Sequence, residues 1–286
     1  MLKNLKLVKR WGIITTSLLL LSGCSFSFVY NNLDWWANWY LDDYVILNDE
    51  QQKSFDEAFD KIHIWHRKTQ LKVYYTQLLT LKEQVNTGIT IDQLASHIGQ
   101  VNSHWVTVRD QTKSDLISLT HTLTKEQREN LVDSIRESNK ERVEEREILT
   151  REQWVKEECI DQQKQFRKWV GKLNKTQKKT ICQYTEGFVS TFDYWIEYRT
   201  NWLNQFSQAL SPELTKEKYE LLFAELIVQP EKLRSEDYIA IREQNNQVAT
   251  EIFFYMMNNL SKKQLNRFNN RIDDFIEDLQ DLEIDS

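Results

Sequence analysis

The chain has 286 residues and a formal net charge of −6, and 40% of its residues are hydrophobic. This apolar content excludes an intrinsically disordered chain. The acidic balance argues against nucleic acid as a partner, because phosphate binding needs a basic surface. The six Gly and two Pro fall well below the usual shares of ~7% and ~5%. Because sheet turns and nucleotide-binding loops depend on these residues, the composition predicts an all-α protein.

The first 23 residues are organised like a secretory signal peptide. Residues 1–10 contain four basic residues and no acid, and an apolar stretch follows at 11–21. A helix of about 11 residues spans roughly 16 Å, about half of a ~30 Å hydrocarbon core, so this stretch is too short to cross a membrane. The signal ends in Leu21-Ser22-Gly23-Cys24, which resembles the lipobox of bacterial lipoproteins.

The lipobox resemblance implies cleavage before Cys24 and attachment of a diacylglycerol and an acyl chain to this residue. Several acyl chains anchor a protein stably, whereas a single chain binds only marginally. In Gram-negative lipoproteins an Asp after the cysteine commonly causes retention in the inner membrane, so Ser25 favours the outer membrane. Without the four basic residues of the signal, residues 24–286 have a formal charge of −10. We therefore expect an acidic periplasmic protein with a lipid anchor in the membrane and partners among envelope proteins.

The lipid-anchored segment 24–46 is rich in aromatic residues, with a candidate cluster of Trp35, Trp36, Trp39 and Tyr40. Such rings suit a membrane interface, where apolar ring bodies meet water, or a groove that handles lipid. A second interpretation is a helix packed into the bundle, because Leu33, Trp36 and Tyr40 recur at steps of three and four. Three aspartates in the segment would repel an anionic lipid surface, which favours the packed helix.

Helical periodicity dominates residues 47–286, which we interpret as a periplasmic domain. Apolar residues between 174 and 210 mostly step by three or four, which predicts a single helix of about 35 residues, roughly 52 Å long. The highly charged region 125–168 is typical of another long, solvated helix. No convincing run of strand-type alternation occurs. The sequence therefore predicts an elongated bundle of six to eight helices with long helical hairpins and no sheet.

Six pentapeptides mark helix starts. Each has an aliphatic residue, a capping residue, two spacers and Gln, and the cap–Gln pairs are Asn48–Gln51, Thr90–Gln93, Thr124–Gln127, Thr150–Gln153, Asn174–Gln177 and Ser261–Gln264. In such a capping box the cap side chain accepts a first-turn backbone N–H, and the Gln side chain accepts the N–H of the cap. No helix breaker precedes Thr150, so this box is also compatible with a position inside a continuous helix.

Two of these pentapeptides, at 123–127 and 149–153, have the form Leu-Thr-x-x-Gln. This form resembles the repeated motif of the small Spy/CpxP-type periplasmic helical proteins. The resemblance implies a chaperone or a modulator of envelope stress. The alternative is that the capping box only starts helices, wherever helices need to start.

A wider resemblance rests on three short motifs. They are YNNLDW at 30–35, WYLDDY at 39–44 and WHR at 65–67. Together they are similar to an uncharacterised family of proteobacterial lipoproteins, known only as a domain of unknown function. The resemblance spans the mature chain and implies an envelope lipoprotein, but it supplies no activity.

His63 and His66 lie three residues apart on a predicted helix, with Asp60 close before them. Metal sites in helical bundles use carboxylates and His at helical spacing, such as Glu-x-x-His pairs from two helices. Asp60, His63 and His66 are therefore the candidate ligands of a metal site. No second cluster accompanies them in the sequence, which favours a structural histidine pair.

Two cysteines, Cys159 and Cys182, remain once Cys24 is lipidated. Gly171 is typical of a helix end, and Asn174 caps the helix that follows. Cys159 precedes Gly171 by 12 residues and Cys182 follows it by 11, so an antiparallel hairpin brings the two to the same height. Because the periplasm is oxidising, we predict a disulfide between them.

The end of the chain is acidic. After Arg271 it has seven acidic residues and no basic one. An amphipathic stripe runs through Phe275, Ile276 and Leu279. Acid near a helix C-terminus opposes the macrodipole, so we expect a solvated helix end that frays.

The sequence contains no Gly-rich phosphate loop, nucleophile elbow or Cys-x-x-Cys motif. We therefore expect a protein without enzymatic activity or cofactor, anchored in the outer membrane, that binds or scaffolds envelope proteins. One alternative is a membrane-associated, metal-dependent hydrolase that uses His63 and His66. Another is a lipid-handling protein that uses the tryptophans of segment 24–46.

Overall fold

The computed structural model describes residues 24–211 and 214–284, and the signal peptide predicted at 1–23 lies outside them. The described residues form helices and no strand, which confirms the all-α class. Helices α1 to α12 span Cys24–Asn31, Leu33–Leu41, Asp49–Thr69, Leu71–Thr87, Ile91–Thr122, Lys125–Glu144, Arg151–Val170, Lys175–Thr185, Phe192–Ala209, Lys216–Val228, Glu236–Asn258 and Lys262–Ile284, and a 3-10 turn covers Pro230–Leu233. These helices outnumber the six to eight predicted, because short breaks divide several long apolar patterns.

All six predicted capping boxes are formed. At the start of α6, the backbone N–H of Gln127 donates to Thr124 Oγ1 at 3.2 Å, and the backbone N–H of Thr124 donates to Gln127 Oε1 at 2.9 Å. The box at Thr150 begins α7, and the chain between α6 and α7 is not helical. The long helix predicted over 125–168 is therefore wrong, because this box starts a second helix within it.

The single helix predicted over 174–210 is also wrong, because residues 186–191 separate α8 from α9. Contacts with α11 stabilise this non-helical segment. A Cβ on Gly187 would come within 2.9 Å of Val248 Cγ2. The backbone N–H of Val189 donates to Asn245 Oδ1 at 2.9 Å, and the Asn245 amide donates back to the Val189 carbonyl at 2.7 Å. Asn245 thus supplies the bonds that helix continuation would have given Val189.

Three buried clusters hold the helices together. The largest joins α4, α5, α7, α8, α11 and α12 around Ile181, Ile252 and Met256, which are fully buried. A second joins α6, α9 and α10 around Phe206 and Phe223. A third fixes α1 against α4 and α12 through Phe26, Tyr30, Leu71, Leu279 and Leu282.

The acidic C-terminal helix belongs to this third cluster, so the fraying predicted for it is wrong up to Ile284. Leu279 and Leu282 are only 2% and 1% exposed. On the polar side, Lys82 pairs with Asp273 at 2.5 Å. Burial of one Leu contributes about 1.5–3 kcal/mol, which exceeds the ~0.3–1 kcal/mol by which one acid opposes the macrodipole.

Candidate functional site

Cys24, the predicted lipidation residue, is the first residue of α1. Helix α1 is docked on the bundle, because Phe26 and Tyr30 are each 5% exposed and belong to the same buried cluster as Leu71 and Leu279. Position 24 is therefore joined to the helical body without a long linker. An anchor at this residue would hold the body close to the membrane surface.

The tryptophan cluster, which we define as Trp35, Trp36 and Trp39, lies on the surface of α2. The three side chains are 57%, 40% and 40% exposed. Their ring centroids are 4.7 Å apart for Trp35 and Trp36, 5.9 Å for Trp36 and Trp39, and 6.5 Å for Trp35 and Trp39. The indoles therefore contact one another on the surface, and no residue of α2 is buried.

Helix α2 packs on the bundle only in part, because none of its residues is buried. Leu33 is partly buried against the third cluster, but Tyr40 is 36% exposed and pairs with Tyr44 at a ring distance of 5.2 Å. Polar bonds join α2 to α3, since Gln52 Nε2 donates to Asn38 Oδ1 at 2.5 Å. The steps of three and four from Leu33 through Trp36 to Tyr40 place these residues on one face. Leu33 at its start packs on the third cluster, and Tyr40 at its end lies near Arg142 of α6 and Arg199 of α9, so the bundle covers this face in part.

His66 lies between two tyrosines. Its Nδ1 is 2.8 Å from the Tyr30 hydroxyl, and its Nε2 is 3.1 Å from the Tyr74 hydroxyl. Burial, and next the neighbouring His63, lowers the pKa of His66 to about 4. Burial also raises the pKa of Tyr30 to about 12. Both ring nitrogens of His66 are thus engaged, and the three groups form a neutral chain that joins α1, α3 and α4.

The predicted metal ligands do not assemble into a site. The ring of His63 packs between Tyr30 at 4.8 Å and Phe59 at 5.9 Å, and burial lowers its pKa while the charge of Asp60 raises it by a smaller amount. Within residues 24–211 and 214–284 no group of three His, Cys, Asp or Glu side chains could hold a metal ion. Both nitrogens of His66 bond to tyrosines and Asp60 is exposed, so His63 and His66 act as packing residues.

The histidine chain continues from Tyr74 along α4 and α5. The Tyr74 ring lies 4.7 Å from the ring of His104, whose Nε2 is 2.6 Å from Gln77 Oε1. Gln77 also donates to the His97 carbonyl at 3.0 Å, and His97 Nε2 is 3.0 Å from Gln84 Oε1. Burial lowers the pKa of both His97 and His104.

This extension was not predicted, although the sequence contains a signal for it. Gln77 and Gln84 are seven residues apart on α4, as are His97 and His104 on α5. A spacing of seven returns a helix to the same face, so two such pairs on neighbouring helices meet in register. Three of the five histidines in the chain, His66, His97 and His104, therefore lie in one polar row between helices.

A second feature that the sequence did not indicate is a pair of arginines on Trp195. Arg142 of α6 and Arg199 of α9 lie 5.3 Å and 5.0 Å from the ring centroid. Arg199 Nε donates to Asn139 Oδ1 at 2.6 Å. Burial, and next the charge of Arg142, lowers the pKa of Arg199. This cation–π stack joins helices that are far apart in the chain, so no local pattern reveals it.

Helix α5 has an exposed apolar stripe, formed by Ile91, Ile98, Val101 and Trp105. The exposed fractions are 43%, 37%, 60% and 66%. The steps of seven, three and four place the four side chains on one side of the helix. Between residues 93 and 108 the sequence has no Asp, Glu, Lys or Arg. The stripe is therefore an uncharged, apolar surface on a protein whose residues are 28% charged.

Cys159 of α7 and Cys182 of α8 form a disulfide, with their Cα atoms 4.8 Å apart. Gly171 ends α7 with a φ of 78°, and Asn174 caps α8 as the hairpin requires. The Gln163 amide lies 3.1 Å and 3.2 Å from the two sulfur atoms. The structure thus brings together the pair that the residue spacing predicts.

None of the described helices is both long enough and apolar enough to span a membrane. No curated protein and no solved structure matches the chain, so the resemblance to Spy/CpxP-type proteins gains no support. A family described as "Family of unknown function (DUF6279)" matches residues 43–239, more than half of the chain. The match confirms the predicted uncharacterised family, although it begins after the motif at 30–35. The chain therefore belongs to the DUF6279 family, whose function is unknown.

Proposed function

We propose that this protein is a lipoprotein, anchored through Cys24 in the outer membrane and facing the periplasm, that binds or scaffolds other envelope proteins. The lipobox at 21–24 supports the anchor, and the docking of α1 supports a body held near the membrane. The binding role is carried by one observation, the exposed apolar stripe on α5.

The stripe has the properties of a protein-binding surface. Contiguous apolar patches on soluble proteins commonly mark interaction sites. The centres of protein interfaces are depleted of charged residues and enriched in Trp. Trp105 and Val101 are the most exposed members, and 16 consecutive uncharged residues surround them. An adjacent side of α5 bonds to α4 through His97 and His104, so the stripe is presented on a supported helix.

Site-specific photo-crosslinking in living cells tests the binding role. A photoreactive residue at Val101 is expected to give a discrete crosslinked protein in the envelope. The same residue at Ser103 serves as the matched control, because two residues turn a helix by about 200° and Ser103 is also exposed. We expect Trp105→Asp to abolish the product at Val101. Equal labelling from both positions, or no product from Val101, would reject the proposal.

The anchor is tested separately by the mass of the mature protein. We expect a chain that begins at Cys24 and carries acyl chains, recovered in outer-membrane fractions. Cys24→Ser should remain unprocessed and lack the acyl mass. A soluble periplasmic protein cleaved at another residue would contradict the lipoprotein assignment, whatever the crosslinking result.

A further inference from the structure

We propose that the tryptophan cluster is a second membrane contact, which inserts into the headgroup region of the bilayer that holds the lipid on Cys24. This inference rests on the proposed anchor and adds an orientation to it. The anchor alone would tether the body at one point. A second contact on α2 would fix which side of the helical body faces the membrane.

The geometry supports insertion of the rings. The three indoles are 57%, 40% and 40% exposed and lie within 6.5 Å of one another. Polar bonds hold the helix beneath them and the one before it, because Asn38 of α2 bonds to Gln52 at 2.5 Å and Asn31, the last residue of α1, bonds to Arg67 at 2.5 Å. A preformed ring cluster on a fixed helix loses little conformational entropy when it binds.

The distance from the anchor also fits. Eleven residues separate Cys24 from Trp35, and they lie in α1 and the start of α2. At 1.5 Å per helical residue this path is about 17 Å long. The polar regions of a bilayer add roughly 10–15 Å to its ~30 Å hydrocarbon core. Half of that, roughly 5–8 Å, belongs to each leaflet. The tryptophans therefore reach the headgroups of the leaflet that holds residue 24 when α1 and the start of α2 lie along the membrane surface.

The composition of the patch favours a bilayer over a second protein. Trp is enriched at membrane interfaces, where the ring body is apolar and the indole N–H stays hydrated. A fully exposed Trp offers up to about 250 Å², so the cluster presents on the order of 350 Å². Each partner in a stable protein interface contributes ~800 Å². The patch is too small for a stable dimer but sufficient as the second contact of an anchored protein.

The charges beside the cluster indicate the kind of lipid. Asp34, Asp42 and Asp43 lie in or directly after α2. Carboxylates are repelled by the negative potential of anionic lipid surfaces. We therefore expect the cluster to contact zwitterionic phospholipid and to be displaced from surfaces rich in anionic lipid.

Fluorescence quenching by brominated lipid tests this inference. The mature protein, isolated from membranes, is reconstituted into phosphatidylcholine vesicles with and without brominated phosphatidylcholine. We expect clear quenching for the wild type and at least a twofold smaller quenched fraction for W35F/W36F/W39F. Trp105→Phe is the matched control, because Trp105 is 66% exposed on another helix, and it should be quenched like the wild type. Replacing half of the lipid with phosphatidylglycerol should reduce the quenching.

The two measurements distinguish the tryptophan contact from the lipid anchor on Cys24. Vesicle flotation reports the anchor, and quenching reports the tryptophan contact. Protein that floats without quenching, or whose quenching survives in the triple variant, overturns the inference and leaves the anchor standing. Quenching that is lost in Trp105→Phe would assign the membrane contact to α5 and also overturns it. Protein that does not float contradicts the anchor and, with it, the second contact.

Discussion

The side-chain amides of Gln177 and Gln264 bond to each other in both directions at 2.9 Å, across 87 residues of sequence. Each Oε1 also accepts the backbone N–H of its own cap, Asn174 or Ser261. Each Nε2 also donates to a backbone carbonyl two residues before the cap of the other box, at 2.9 Å and 3.0 Å. Every donor and acceptor of the two amides is therefore satisfied.

The same arrangement joins the starts of α3 and α6. Gln51 and Gln127 exchange bonds of 3.0 Å and 2.7 Å. Their second donors bond the carbonyls of Thr122 and Ile46, again two residues before the opposite cap. Capping boxes in this protein thus do more than start helices, because four of the six join helix starts in pairs. The boxes of Gln93 and Gln153 are not paired in this way within the described residues.

We predict that loss of one paired amide is costly. Gln177 is 1% exposed, and Gln177→Met keeps the volume but leaves the Asn259 carbonyl and the Gln264 amide unsatisfied. We expect the free energy of unfolding to fall by about 2–4 kcal/mol, because each buried polar group without a partner costs ~1–3 kcal/mol. Urea unfolding measures this change. Gln153→Met, in an exposed box, is the control and should cost at most about 1 kcal/mol.

The double variant Gln177→Met with Gln264→Met provides a second test of the pair. Removal of both amides leaves fewer unsatisfied groups than the sum of the single changes, so we expect a coupling energy above about 1 kcal/mol. Additive single effects would show that the two amides do not act as a unit.

The disulfide is predicted to form in the protein isolated from the envelope. Alkylation and mass spectrometry should detect no free thiol at Cys159 or Cys182 until reductant is added. The bridge closes a loop of about 23 residues, for which chain entropy predicts a stabilisation of about 3 kcal/mol. Cys159→Ser with Cys182→Ser should lower the thermal midpoint accordingly. Free thiols in the native, unreduced protein would contradict the prediction.

Asp278 should oppose folding at neutral pH. It is 8% exposed, and burial, followed by Asp274, Asp281 and Glu277, raises its pKa to about 6. A carboxyl whose pKa is raised in the fold binds protons more tightly than in the unfolded chain, so this group adds stability as the pH falls through 6. We expect Asp278→Asn to stabilise the protein at pH 7.5 by on the order of 1 kcal/mol after solvent screening. No gain in thermal midpoint at that pH would contradict this assignment.

His66 should have the opposite effect on the pH profile. Its pKa is about 4 in the fold and about 6.5 in an unfolded chain. Protons therefore bind the unfolded chain more tightly, and stability is lost as the pH falls from 6.5 towards 4. Between pH 7 and pH 5 we expect this residue to cost about 2 kcal/mol. Urea unfolding at both pH values should show a smaller loss for His66→Gln than for the wild type, and an unchanged difference would refute the role of His66.

The break between α8 and α9 is predicted to depend on the absence of a side chain at residue 187. Gly187→Ala places a Cβ against Val248, and we expect a loss of about 1–3 kcal/mol from overpacking. Val248→Ala removes the opposing methyl groups and should restore part of this loss. If the double variant is less stable than the sum of the two single changes predicts, the contact between residues 187 and 248 is not the cause of the loss in Gly187→Ala.

Local sequence patterns predict the all-α class, the six helix starts and the alignment of Cys159 with Cys182 across one hairpin. These features depend on neighbouring residues or on the residue spacing within one hairpin. A capping box is complete within four residues, and its bonds need no distant partner. For the same reason the pattern could not distinguish Gln177 from Gln153, since both boxes have the same local geometry.

Which apolar faces are covered depends on contacts between distant parts of the chain. The stripe of the C-terminal helix is buried on α4, whereas the stripe around Trp105 and the cluster around Trp35 stay exposed. The break at Gly187, the amide pair of Gln177 and the histidine row likewise depend on residues far away in the chain. Periodicity shows that a helix has an apolar face. Burial of that face also needs a second surface to cover it, and long-range packing determines which surface that is.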